Sequence, residues 1–96
     1  MTQYTTVKAD NGKEISFAVR MKMFVLIQTN FIPMDHKTLI EGSLLNCTGI
    51  KQLDSVGRYD DHTGYIIYLL NKDFDEKQLF ADLENNFKSY FKNEKE

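Results

Sequence analysis

Seven successive odd-numbered positions, Ile15, Phe17, Val19, Met21, Met23, Val25 and Ile27, are apolar. The even positions between them begin polar (Ser16, Arg20, Lys22) and turn apolar (Phe24, Leu26). A two-residue period sends alternate side chains to opposite faces, so this stretch predicts extended backbone. The change on the even face predicts a strand that is wet on one side at its start and buried on both sides at its end. Strand two is placed at 13–28 on this pattern.

Its partner lies just before it. Tyr4 to Ala9 alternates weakly, and Asp10-Asn11-Gly12 interrupts. A two-residue loop would set Lys8 opposite Ile15. A three-residue loop sets Val7 opposite Ile15, Lys8 opposite Glu14 and Thr6 opposite Ser16, matching apolar to apolar and cation to anion. It also puts Gly12 at the left-handed position of the common three-residue hairpin. That register is expected, with strand one at 4–9.

Pro33-Met34-Asp35 can open a helix, with Asp35 as cap. Helix one is expected over 35–47, with Ile40, Leu44 and Cys47 on one face and Leu39 beside them. Gly42-Ser43 weakens it, and Gly49 sits where a left-handed C-cap belongs. Residues 50–59 read as strand three, Asp60-Asp61-His62-Thr63-Gly64 as a turn, and 65–70 as strand four, apolar on both faces. A second helix follows, capped by Asp73 or Asp75, with Phe74 and Leu79 spaced as a hydrophobic staple. Leu79, Phe80, Leu83, Phe87, Tyr90 and Phe91 line its apolar face.

The expected order is β-β-α-β-β-α in a single domain over 1–96. It divides into a hairpin and long strand at 1–34, helix one at 35–49, a second hairpin at 50–71 and the C-terminal helix at 72–96. A right-handed crossover sets strand four parallel beside strand two, with strand three outside it. The sheet order is then 1-2-4-3, four strands with both helices on one face. This α+β two-layer sandwich resembles the ferredoxin-like fold with its last strand moved to the front of the chain. The resemblance is one of topology, and that fold hosts many unrelated activities.

Composition narrows the function classes. The net charge of −2 argues against a general electrostatic grip on nucleic acid. The charge is uneven: Lys8, Lys13, Arg20 and Lys22 face only Asp10 and Glu14 in 1–34, whereas the last stretch, 72–96, is acidic on balance. One cysteine, Cys47, allows neither an internal disulfide nor a multi-cysteine metal site. It reads as a small buried hydrophobe. The first residues lack a basic stretch followed by an apolar one, and residues 23–27 are too short an apolar run to span a bilayer. A cytoplasmic location is the resulting expectation. Asn46-Cys47-Thr48 fits a glycosylation acceptor only formally.

Candidate chemistry is sparse. Asp60, Asp61 and His62, with Asp54 on the strand before them, would suit a divalent metal that activates water for phosphodiester cleavage. The same residues also simply make a turn. His36 would serve as a base or sit exposed at a helix start, and Thr29-Asn30 would offer an anion site at that start. Tyr4, Phe17, Tyr59, Tyr65 and Tyr68 would stack bases if they shared an open sheet face, with Lys8, Arg20 and Lys22 on phosphates. Met21, Met23 and Met34 would make an adaptable protein-binding surface.

The favoured expectation is a non-enzymatic interaction protein without a cofactor, a homodimeric adaptor, inhibitor or antitoxin-like regulator. It would bind a protein partner through an open sheet face, the first hairpin or a strand edge. Phe17, Val19, Arg20, Met21, Lys22, Tyr65 and Tyr68 are its expected contact residues. An RNA-binding or metal-dependent nuclease role for Asp54, Asp60, Asp61 and His62 is the alternative.

Overall fold

The long strand expected over 13–28 is two strands. In the computed structural model, which describes residues 4–33 and 47–94, with side chains described as far as Ser89, the chain turns back on itself at Met21-Lys22. Strand β1 spans Thr5–Lys8, β2 Glu14–Arg20 and β3 Phe24–Thr29. Strands β4 (Ile50–Arg58) and β5 (Gly64–Leu70) form a second hairpin, and α1 runs Glu76–Glu94. All neighbouring strands are antiparallel, in the order β1-β2-β3-β5-β4.

This corrects the four-stranded, two-helix sandwich. The sheet has five strands, and α1 is the single helix among the described residues. The extra hairpin reverses the chain, so β5 pairs antiparallel with β3, where a parallel neighbour was expected. Strand β4 still lies outside β5. Helix one, expected at 35–47, falls outside the described residues except for Cys47, as do Met34 and His36.

The first hairpin has the expected three-residue register. Val7 faces Ile15, Lys8 faces Glu14 and Thr6 faces Ser16. Gly12 takes φ of +89°, and the loop closes with the Ala9 N–H donating to Lys13 O at 2.8 Å.

Odd-numbered residues of β2 and β3 point to the same side, because Ile15 pairs with Thr29, Phe17 with Ile27 and Val19 with Val25. With Val7, Ile66, Tyr68 and Leu70 they form the face that α1 covers through Leu79, Leu83 and Phe87. Phe17 meets Phe80 edge-on at 4.9 Å, Phe31 stacks on Phe87 at 6.3 Å, and the Lys13 ammonium lies over the Phe31 ring at 5.1 Å. The helix starts where sequence placed it. Asp75 caps it, its carboxylate accepting the Lys77 N–H (3.1 Å) and its carbonyl the Leu79 N–H (2.9 Å). Gln78 turns forward to Asp82 at 3.0 Å and leaves the capping box unclosed.

Burial under α1 leaves the apolar side of the first half of the 13–28 stretch unavailable to a partner. Ile15 and Phe17, in the first half of the supposed long strand, have no exposure to water.

Candidate functional site

The other face of the sheet carries nothing over it among the described residues. The pairing registers fix its rows. Thr6, Ser16, Gln28 and Tyr65 make one row, Ala18, Leu26 and Ile67 the next, and Arg20, Phe24, Leu69 and Gln52 a third. The central strand β3 and its neighbour β5 therefore contribute a contiguous apolar quartet, Phe24, Leu26, Ile67 and Leu69. All four are only partly buried, although they belong to interior strands. Ala18 extends the apolar patch beside Leu26, and the next row is polar. The Thr6 and Ser16 hydroxyls bond to each other at 2.8 Å, and Gln28 donates to the Tyr59 hydroxyl at 3.4 Å. Tyr59 leans on Tyr65 with ring centroids 5.3 Å apart.

The expected contact residues divide between the two faces. Tyr65 and Arg20 lie on the open face. Phe17 and Tyr68 lie on the helix-covered face with no exposure, and Val19 packs against the same core. Burial pushes the Tyr68 phenol well above its ordinary range. Met21 and Lys22 form the tip of the β2–β3 hairpin, and Met21 is 76% exposed. The five aromatic rings expected on one stacking surface are thus not together. Tyr59 and Tyr65 share one end of the open face, and Tyr4 stands at the outer edge beside β1.

The tip is unusual in its backbone. Met21 and Lys22 have φ of +57° and +52°, and the Met23 N–H closes the turn onto Arg20 O at 3.1 Å. Two successive positive φ angles are the sign pattern of a mirror-image hairpin turn, where asparagine and glycine are favoured. Long side chains there cost about 1 kcal/mol or more each. Met21→Asn combined with Lys22→Gly should therefore raise stability by about 1 kcal/mol, read as a higher urea midpoint at unchanged slope. An unchanged or lower midpoint would show that the turn holds no such strain.

The acidic turn is structural in its geometry. The Asp60 carboxylate accepts the backbone N–H of His62 (2.7 Å) and of Thr63 (2.8 Å). These bonds hold its carboxyl below the usual carboxylate range. Asp54 is elsewhere, the extra residue where the β4 register slips between Leu53 and Ser55. The structure does not gather the four residues, and among the described residues no group of three His, Cys, Asp or Glu side chains is placed to hold a metal. Thr29 and Asn30 are likewise committed. The Thr29 hydroxyl donates to Phe31 O (2.7 Å) and accepts the Gly64 N–H (3.1 Å). Asn30 accepts the Glu14 N–H (2.8 Å) and donates to Gly12 O (3.2 Å). Cys47 is buried, accepts a hydrogen bond from Asn86 at 3.3 Å, and has its thiol pushed up to about 11 by burial.

What sequence reasoning missed is the apolar quartet itself. Its signal was present in the even-numbered Phe24 and Leu26 and in a strand, 65–70, that is apolar at every position. Among the described residues no helix is long and apolar enough to cross a membrane. Comparison with protein-family models, with curated proteins and with solved structures finds no match to this chain.

Proposed function

We propose that this chain is a protein-interaction module that works by binding, with the outer face of its sheet as the docking surface. One observation carries the reading. Phe24, Leu26, Ile67 and Leu69 form a continuous apolar centre on the adjacent interior strands β3 and β5, extended by Ala18 and bordered by the polar Ser16, Gln28 and Gln52. An apolar centre inside a polar rim is the anatomy of a protein interface.

The face is a better docking surface than the edges. At one edge β1 has four residues. At the other, β4 is bent by two register shifts that leave Lys51 and Asp54 as extra residues. Short, bulged and charged edges resist addition of another strand. A second copy of the chain or a different protein would lie across the face, in the manner of an adaptor or inhibitor.

The test is capture from the native host with the wild-type chain and with a Leu26→Thr, Ile67→Thr variant, followed by mass spectrometry, with light scattering on both to detect self-association. Threonine keeps the preference for strand while removing apolar surface. Proteins held by the wild type, or a dimer formed by it, should disappear with the variant. The same proteins and the same molar mass for both chains would rule out the outer face.

A further inference from the structure

At the hairpin-tip end of the outer face the sheet opens into a depression of ≈ 280 Å³ lined by Lys22, Met23, Lys51, Leu69, Leu70 and Lys72. Three separate parts of the chain bring the lysines there. Lys22 comes from the strained β2–β3 turn, Lys51 from the first bulge of β4, and Lys72 from the turn after β5. The tip is tied to β5 by the Leu70 N–H, which donates to Met23 O at 2.9 Å. Arg20 adds a fourth cation on the same row as Leu69, opposite Phe24.

None of these four cations pairs with a carboxylate among the described residues, where the ion pair is Lys88 with Glu84 on α1. Like charges gathered around an apolar floor repel one another, and an anionic group placed among them relieves that repulsion. The chain as a whole is acidic at −2, so this end stands out against its own surface.

We infer that the depression is an anchor site for an acidic segment of a protein partner, with one apolar side chain seated on Leu69 and Met23 and flanking carboxylates held by Lys22, Lys51 and Lys72. The inference rests on the outer face being a protein-docking surface, because Leu69 belongs to both. Size favours a side chain over a whole cofactor, since ligand pockets usually run from about 300 to 1,000 Å³. Among the described residues the lining is lysine, methionine and leucine, with no ring on which a base would stack, which disfavours nucleic acid. A depression suits a protruding side chain better than it suits a flat bilayer.

The experiment is selection of a random peptide display library on the immobilised full chain. Enriched peptides should carry Asp or Glu on both sides of a leucine, isoleucine or phenylalanine. A fluorescein-labelled enriched peptide should bind about tenfold more weakly to Lys51→Glu and to Lys72→Glu, with Lys51→Arg close to wild type, and should weaken as salt is raised. These lysines are exposed or at turns, so the variants should keep the wild-type unfolding midpoint. Enrichment without acidic residues, or equal affinity for Lys51→Glu and wild type, would overturn the inference. So would retention on phosphatidylserine vesicles or single-stranded DNA with no acidic peptide selected. Partners lost on Leu26→Thr, Ile67→Thr without any acidic enrichment would defeat this inference alone. Acidic peptides lost on Lys51→Glu, with host capture unchanged by the outer-face variant, would defeat the outer-face reading alone.

Discussion

Phe17→Ala is expected to destabilise the fold by about 3–5 kcal/mol, a large share of the 5–15 kcal/mol typical of a single domain. The side chain has no exposure and meets the Phe80 ring edge-on at 4.9 Å, so alanine would remove both buried area and a ring contact and leave a cavity under α1. Urea unfolding measures the loss directly. Cys47 provides an independent readout, because its thiol is buried and raised to about 11 and should resist alkylation near pH 8 until the protein opens. Labelling should accelerate sharply in the variant. A loss under about 1 kcal/mol would mean that Phe17 is not the core residue described, and would return it to the interaction surface.

Gly64→Ala is expected to cost about 2–3 kcal/mol, lowering Tm by roughly 10–20 °C. A methyl group at Gly64 would strike Pro33 Cδ and come within 2.7 Å of Gly57 O. Neither neighbour yields easily, since one belongs to a proline ring and the other to the β4 backbone. The Gly64 N–H also donates to the Thr29 hydroxyl, so a shift of the strand would loosen a second buried bond. Gly12→Ala is the control. No atom lies within 4 Å of its added carbon, and its φ of +89° alone predicts a loss nearer 1 kcal/mol. Equal losses at the two glycines would remove the steric argument at Gly64.

Much of the local structure was legible from the chain. The first hairpin could be read because only one register matched Val7 with Ile15 and Lys8 with Glu14. The last helix could be read because Leu79, Leu83 and Phe87 recur at helical spacing behind a capping Asp75. The break in residues 13–28 could not. In the β2–β3 hairpin, paired residues are both odd or both even, as with Val19 and Val25. The apolar odd column therefore stays on one face straight through the turn, and alternation alone cannot tell one long strand from two. The usual marker of such a turn is also missing, since Met21 and Lys22 hold the left-handed positions where glycine or asparagine would announce it. Two expectations drawn from the long strand failed together: the strand count and the direction of β5. Tyr65 and Tyr68 were hard to assign for a related reason. A strand that is apolar at every position has no inside that its own sequence reveals, and only pairing of Tyr68 with Val25 sets it inward.

The seam between β3 and β5 has a consequence for how the chain reaches this state. Strands β1, β2 and β3 follow one another through tight turns, so they can zip up from neighbours in sequence. Leu26 must wait for Ile67, and Val25 for Tyr68, from the far side of the long connection between β3 and β4. Closing that distance costs chain entropy before any contact repays it. The seam therefore sets the folding rate: substitutions along it slow folding, and those in the first hairpin mainly hasten unfolding. During synthesis the β1–β3 meander emerges before its cover, because the helix that shields one of its surfaces follows all five strands in the chain.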